Sequence, residues 1–184
     1  ASGRDCITVR NRSRLLAMAE TLFISDLHLA EHRLATAAMF ERFLTERASR
    51  ADALYILGDL FDVWIGDDDD SEFAERMRRA LARLSQSGTR LYLQQGNRDF
   101  LLGKRFCRDT GAELIPDCQV IDLAGQPTLL MHGDLLCTDD VDYQRLRKRF
   151  RSPLFKLLVR LKSLRSRRAI AAGHVQPETL DIRA

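Results

Sequence analysis

Four short runs in this 184-residue sequence carry side chains suited to holding metal ions: Asp26-Leu27-His28, Gly58-Asp59, Gly96-Asn97-Arg98-Asp99 and His132-Gly133-Asp134. Their donors are carboxylates, a carboxamide and imidazoles, with no thiolate among them. That set suits borderline or hard divalent ions such as Mn²⁺. Two such ions about 4 Å apart can share one carboxylate, activate a water and stabilise charge building on a phosphoryl group. Asp59 lies between the other candidates in chain order and is the natural bridge. Any one run alone is weak, because a lone His or Asp at a strand end is more often a hydrogen-bonded structural residue. Four in succession are another matter.

The elements that must position these runs are legible in the apolar pattern. Thr21–Ile24 is a short apolar run that stops at Ser25-Asp26, as a buried strand does. Ala53–Leu57 is a second, closed by Gly58-Asp59, and 91–93 a third, closed by Gly96-Asn97. Between them, Phe40, Phe43, Leu44 and Arg47 fall on one helical period, and Phe73, Met77, Ala80, Leu81 and Leu84 on another. Strand, helix, strand, helix, strand implies an α/β fold with a parallel sheet and right-handed crossovers. In such a sheet ligands gather beyond the carboxyl ends of the strands, where these runs lie, often beside a glycine that permits a tight turn. Further on, Gln119–Leu123 and 128–131 flank Ala124-Gly125-Gln126-Pro127 as a hairpin. Asp139 or Asp140 can cap a helix beginning near Val141, and Pro153 opens another, with Leu154, Leu157, Leu158 and Leu161 on one stripe.

Composition bounds the rest. No apolar run approaches the roughly 20 residues that a membrane-spanning helix needs, and no secretory signal pattern opens the chain. Cys6, Cys107, Cys118 and Cys137 show no CxxC spacing and read as free thiols in a reducing compartment, which makes the cytoplasm the expected location. Residues 145–168 hold eleven Lys or Arg and no acid, leaving 18 basic against 26 acidic residues elsewhere. A basic segment on an acidic body points to an anionic surface or ligand, with a solvated helix face as the plain alternative. Residues 1–17 are polar and precede Met18, the expected natural start, so 1–18 is expected to be a disordered or adventitious leader.

The runs DLH, GD, GNRD and HGD, in this order, resemble the calcineurin-like metallophosphoesterase superfamily. More narrowly, TLFISDLHL, ADALYILGDLFDVWIGDDD, GNRDFLLGKRF and LLMHGDLLCTDD are similar to the UDP-2,3-diacylglucosamine diphosphatases of lipid A biosynthesis, over roughly 20–168. The resemblance implies an α/β-β/α sandwich and Mn²⁺-dependent cleavage of a lipid-linked UDP-sugar into UMP and a monophosphorylated lipid. Asp26 and His28 would bind the first Mn²⁺, Asp59 would bridge, and Asn97 and His132 would bind the second. Asp59, Asn97, Arg98 and His132 would be the catalytic set. Asn97, Arg98 and Asp140 would touch substrate, with Arg98 forking onto the pyrophosphate. Asp140 can serve as a helix cap as well. A diacylated substrate implies work at the cytoplasmic face of the inner membrane as a peripheral protein, with no nucleic-acid partner and no implied oligomeric state. The basic segment, 141–168, would then touch the bilayer, cap the acyl chains or pack on the core.

The match departs from the family late in the chain. The superfamily closes its site with a GHxH run supplying two more His ligands, whereas His174 here is followed by Val-Gln-Pro. The family's later helical region of substrate contacts also has no counterpart. A fragment, a frameshift or a diverged chain would each give this pattern, and the first two are favoured because a sandwich would lose late strands together with ligands. Ions would then be held more weakly and a sheet edge left open. The expected organisation is a partial core over 19–168, with 169–184 unassigned. The alternatives in function are a relative acting on another nucleotide or phosphodiester, or an inactive remnant that binds anionic surfaces. Four remaining features are expected to be structural: Asp67 to Asp70 as a solvated loop, Phe61 and Trp64 as packing, His32 as surface and Cys137 as a buried small hydrophobe.

Overall fold

Apolar residues at alternate positions bury one face of the two central strands, and the strands Thr21–Ile24 (β1), Ala53–Leu57 (β2), Arg90–Gln94 (β3) and Glu113–Leu114 (β4) form one sheet. All its pairings are parallel, in the order β1-β2-β3-β4. The computed structural model describes residues 20–174. Leu54 and Ile56 of β2 and Leu91 and Leu93 of β3 point into the core. There they meet Phe40 and Leu44 of the helix Leu34–Glu46 (α1) and Met77, Leu81 and Leu84 of the helix Glu72–Gln86 (α2). On the other sheet face Phe23, Tyr55 and Tyr92 form a ladder of stacked rings, 5.2 and 4.5 Å apart. β1 is therefore not the fully buried strand its composition suggests: it lies at the sheet edge, and Phe23 is exposed.

Local chemistry sets the element ends. Ser71 caps α2 by accepting from the Ala74 amide, and Glu72 and Glu75 in its first turn complement the helix dipole. The helix Lys104–Thr110 (α3) and β4 carry too little periodic signal to have been anticipated, and they complete the sheet's far side. Phe61 stacks on Trp64 at 4.5 Å and Phe106 of α3 meets both rings edge-on, so Phe61 and Trp64 are packing residues, as expected.

Strands Gln119–Leu123 (β5) and Gln126–Leu130 (β6) form a separate antiparallel hairpin. Its turn is tighter than expected, because Ala124 and Gly125, both at positive φ, reverse the chain alone and leave Gln126 and Pro127 in the strand. The helices Val141–Arg151 (α4), Pro153–Arg160 (α5) and Leu164–His174 (α6) follow. Asp140 caps α4 and Ser152 caps α5, with Pro153 at the tolerated first position. α6 continues past the boundary expected at 168. The expected leader, Met18 and Cys6, and the tail beyond 174 lie outside the described residues.

The basic segment divides by face. Phe150 and Phe155 pack on Phe100, and Val159 packs against the core, whereas Leu154, Leu157, Leu158 and Leu161 of the α5 stripe are exposed. No helix among the described residues is long and apolar enough to cross a membrane.

Candidate metal centre

Parallel pairing in register, with Ile24 beside Ile56, makes the loops after β1 and β2 leave the sheet side by side. Backbone bonds then stitch them: the Asp26 amide donates to the Gly58 carbonyl (3.1 Å), His28 to Asp59 (3.0 Å) and Leu29 to Leu60 (2.9 Å). The stitching holds Asp26, His28 and Asp59 at φ of 56°, 46° and 50°. A non-glycine residue in that region costs about 1–3 kcal/mol, and such strain clusters at functional sites. Among the described residues the only other one is Ala124, in the hairpin turn.

Two glycines allow the remaining loops to close in. A Cβ on Gly58, itself at φ 92°, would lie 2.6 Å from His132 Nδ1, and a Cβ on Gly96 would overlap the Asp59 amide and carboxylate. Only glycine permits both approaches.

The outcome is a cluster in which ligand atoms of Asp26, Asp59 and His132 all lie within 4.8 Å of one another. The His132 Nδ1–H donates to the Leu57 carbonyl (2.8 Å), which leaves Nε2 facing the Asp59 carboxylate at 3.6 Å. Burial alone would raise the Asp59 carboxyl, but the His132 contact and the Arg98 amide, which donates to Oδ1 at 2.8 Å, hold it below its ordinary value. The Asp59 contact in turn drives His132 up to about 9. Carboxylate and imidazole donors converging without a thiolate fit hard or borderline divalent ions.

Of the other anticipated residues, neither His28 nor Asp140 belongs to this cluster. His28, on the stitched loop, has a buried Nδ1 without a hydrogen-bond partner, 3.8 Å from the Asp62 carboxylate. Asn97 follows β3 and lines a small cavity of about 60 Å³ with Phe100, Tyr143 and Phe150. The Arg98 guanidinium is half exposed and 3.6 Å from Asp62. Asp140 falls outside the cluster; it is exposed at the start of α4, where its carboxylate accepts from the Tyr143 amide.

Several supporting residues were not anticipated. Asp99 is fully buried and accepts from the Gly96 amide (2.6 Å) and the Leu60 amide (2.8 Å), tying the Asn97 loop to the Asp59 loop. Burial pushes its carboxyl up to about 6, the Gly96 amide working against the shift and the Asp59 charge with it.

Two expectations need correction. The run Asp67 to Asp70 is a loop only partly solvated: Asp68 and Asp70 are exposed, but Asp67 accepts from the amides of Gly103, Arg105 and Phe106, Asp68 pairs with the buried Arg167, and Asp69 and Asp70 pair with Arg168. Cys137 is exposed, because the 3-10 turn Asp134–Leu136 buries Asp134 and turns Leu136 and Cys137 outward. His32 is exposed as expected, and Cys107, Cys118 and Cys137 are free thiols.

Comparison with known proteins gives this geometry a context. The family model described as calcineurin-like phosphoesterase matches residues 20–181. The chain is 54% identical over 153 residues to a UDP-2,3-diacylglucosamine hydrolase of Edwardsiella ictaluri, covering 83% of this chain and 59% of that protein. It is 53% identical to the protein of the same name from Pseudomonas aeruginosa, covering 82% and 62%. For the one from Photorhabdus laumondii the values are 52% identity, 82% and 63%. The chain thus spans about three fifths of the length of these relatives.

Proposed function

The chain belongs to the calcineurin-like phosphoesterase family, and from that premise we propose that it carries the metal centre of an enzyme hydrolysing the pyrophosphate of UDP-2,3-diacylglucosamine to UMP and 2,3-diacylglucosamine 1-phosphate. The observation that carries this reading is the convergence of Asp26, Asp59 and His132, with Asp26 and Asp59 held in left-handed backbone conformations. The substrate is that named for its relatives.

Asp26 and His28 would hold one Mn²⁺, Asn97 and His132 a second, and Asp59 both. Ions held there would supply Lewis-acid stabilisation of charge on a phosphoryl group. The chain's own residues do the rest. Arg98, tethered by its amide to Asp59 and by its guanidinium to Asp62, presents a planar fork beside the ligand loops, which suits a pyrophosphate oxygen pair. Asp140, exposed at the start of α4, is the second polar contact for the substrate. The exposed leucines of α5 face either the acyl chains or the bilayer in which those chains reside, at the cytoplasmic face of the inner membrane.

Asp59→Ala tests the reading. Calorimetric titration should show tight Mn²⁺ binding to the wild-type chain and its loss in the variant. UMP release from UDP-2,3-diacylglucosamine should disappear with it. Equal Mn²⁺ affinities would mean that the bridge is misassigned. An inert lipid substrate beside cleavage of a simple aryl phosphodiester would shift the reading to another phosphoester within the family.

A further inference from the structure

The face of α4 that turns away from solvent carries two arginines whose partners lie on the loops around His132 and Asn97 and, between them, at Asp117 of the β4–β5 connection. Arg147 is buried, and its Nε donates to the Asp134 carboxylate at 2.5 Å, two residues beyond His132. Its Nη2 donates to Asp117 at 2.6 Å. The other Asp117 oxygen accepts from Arg151 Nη1 at 2.8 Å. Arg151 Nη2 then donates to the carbonyls of Gln95 (2.7 Å) and Gly96 (3.1 Å), the latter immediately before Asn97. A continuous series of charge-assisted bonds therefore runs from the loop presenting His132 to the loop presenting Asn97.

Docking a helix does not require this. Phe150, from the same helix, already stacks on Phe100 at 5.4 Å, and well-packed apolar residues commonly stabilise a buried position as well as or better than ion pairs do. What an ion-pair series supplies and apolar packing does not is register: a fork fixes both the distance and the angle between its two partners. We infer that Arg147 and Arg151 are positioning residues that set the spacing of Asn97 and His132 and thereby the affinity for the second metal ion. The inner face of the basic segment is thus part of the metal centre. The inference rests on the reading of Asn97 and His132 as ligands.

The test is titration of Mn²⁺ into the full chain and its Arg151→Met, Arg147→Met and Asp117→Asn variants, with low-temperature electron paramagnetic resonance of the loaded samples. Arg76→Ala, which removes a pair with Glu41 between α1 and α2, controls for general destabilisation. Partners outside the ligand set are commonly worth about 10- to 100-fold in metal affinity. The brace variants should lose that much at the second site only, and the spin-coupled signal of a Mn²⁺ pair should give way to that of an isolated ion. Arg76→Ala should keep both sites. Should Arg147→Met fail to fold, Arg151→Met and Asp117→Asn decide the matter, since Asp117 is 38% exposed. Folded variants that bind both ions as wild type does would overturn the brace alone. A wild-type chain that takes up no Mn²⁺ would overturn the ligand assignment beneath it as well.

Discussion

Replacing Asp99 should change stability in a way that depends on pH, with a sign fixed by the structure. Its carboxylate is fully buried and accepts from the Leu60 and Gly96 amides, both inside the protein. Asp99→Ala leaves two buried donors unpaired, at about 1–3 kcal/mol each, so about 2–6 kcal/mol together. Against this stands the cost of ionising the buried acid, whose folded pKa is about 6 against 3.8 for the free side chain. Between those values the folded state binds more protons than the unfolded one, so this group's contribution to stability falls as pH rises through the window. At 1.36 kcal/mol per unit the fall is at most about 3 kcal/mol. The wild-type advantage over Asp99→Ala should therefore be largest near pH 4 and shrink by up to that amount above pH 6. Asp99→Asn, which imitates the protonated acid, should be the milder substitution above pH 6. Urea unfolding of the three proteins across this range, with chelator present to keep metal out, makes the measurement. A wild-type advantage that stayed constant from pH 4 to pH 8 would refute the reasoning.

Two further outcomes follow from the centre and the helices. In the metal-free chain His132 is held protonated up to about pH 9 by Asp59. Mn²⁺ must displace that proton, so affinity should climb as pH rises toward 9 and level off beyond it. Calorimetry in buffers of different ionisation enthalpy would show the released proton, and its absence at neutral pH would count against His132 as a ligand. The exposed Leu154, Leu157, Leu158 and Leu161 should sediment the chain with anionic vesicles. That binding should weaken as salt brings the Debye length below about 10 Å and vanish in Leu158→Asp/Leu161→Asp. Sedimentation indifferent to both salt and substitution would leave these leucines to acyl-chain capping or packing.

The parts of the site that could be read from the sequence are those whose signal is local. Asp26, Asp59 and Asn97 each lie within four residues of the end of a short apolar run, so strand geometry sends them to one end of the sheet. β2 and the paired strands of the hairpin were legible for the same reason, with period and punctuation agreeing within a few residues. Asp99, Asp62 and Asp134 were not, because what they do depends on groups brought together by the fold. Asp99 reaches the Leu60 amide across 39 positions, and the Arg147 that fixes Asp134 comes from a helix that read as a charged surface. The acidic run Asp67 to Asp70 misled in the same manner. Four consecutive acids look solvated until α6, about a hundred residues later, brings Arg167 and Arg168 against them. Charge runs show that partners exist, and only the fold shows which.

The location of the strain is informative about how the centre works. The left-handed backbone of Asp26, His28 and Asp59 together costs about 3–9 kcal/mol. The offset comes from around them: three interloop backbone bonds, glycines at 58 and 96, and the Asp99 carboxylate gripping two amides. Beneath these lies the ring cluster of Phe61, Trp64 and Phe106, which anchors the loop that follows Asp59. Because these restraints are made by the chain alone, Asp26, Asp59 and His132 are already gathered without an ion. Metal then binds a preorganised site, and its binding energy need not be spent on ordering the loops. The pair proposed for a second ion differs. Asn97 and His132 stand on loops from two different sheets, those of β3 and the hairpin, whose spacing no strand pairing among the described residues enforces. That is the gap the arginines of α4 span, which places the most consequential charges of the basic segment on its buried side.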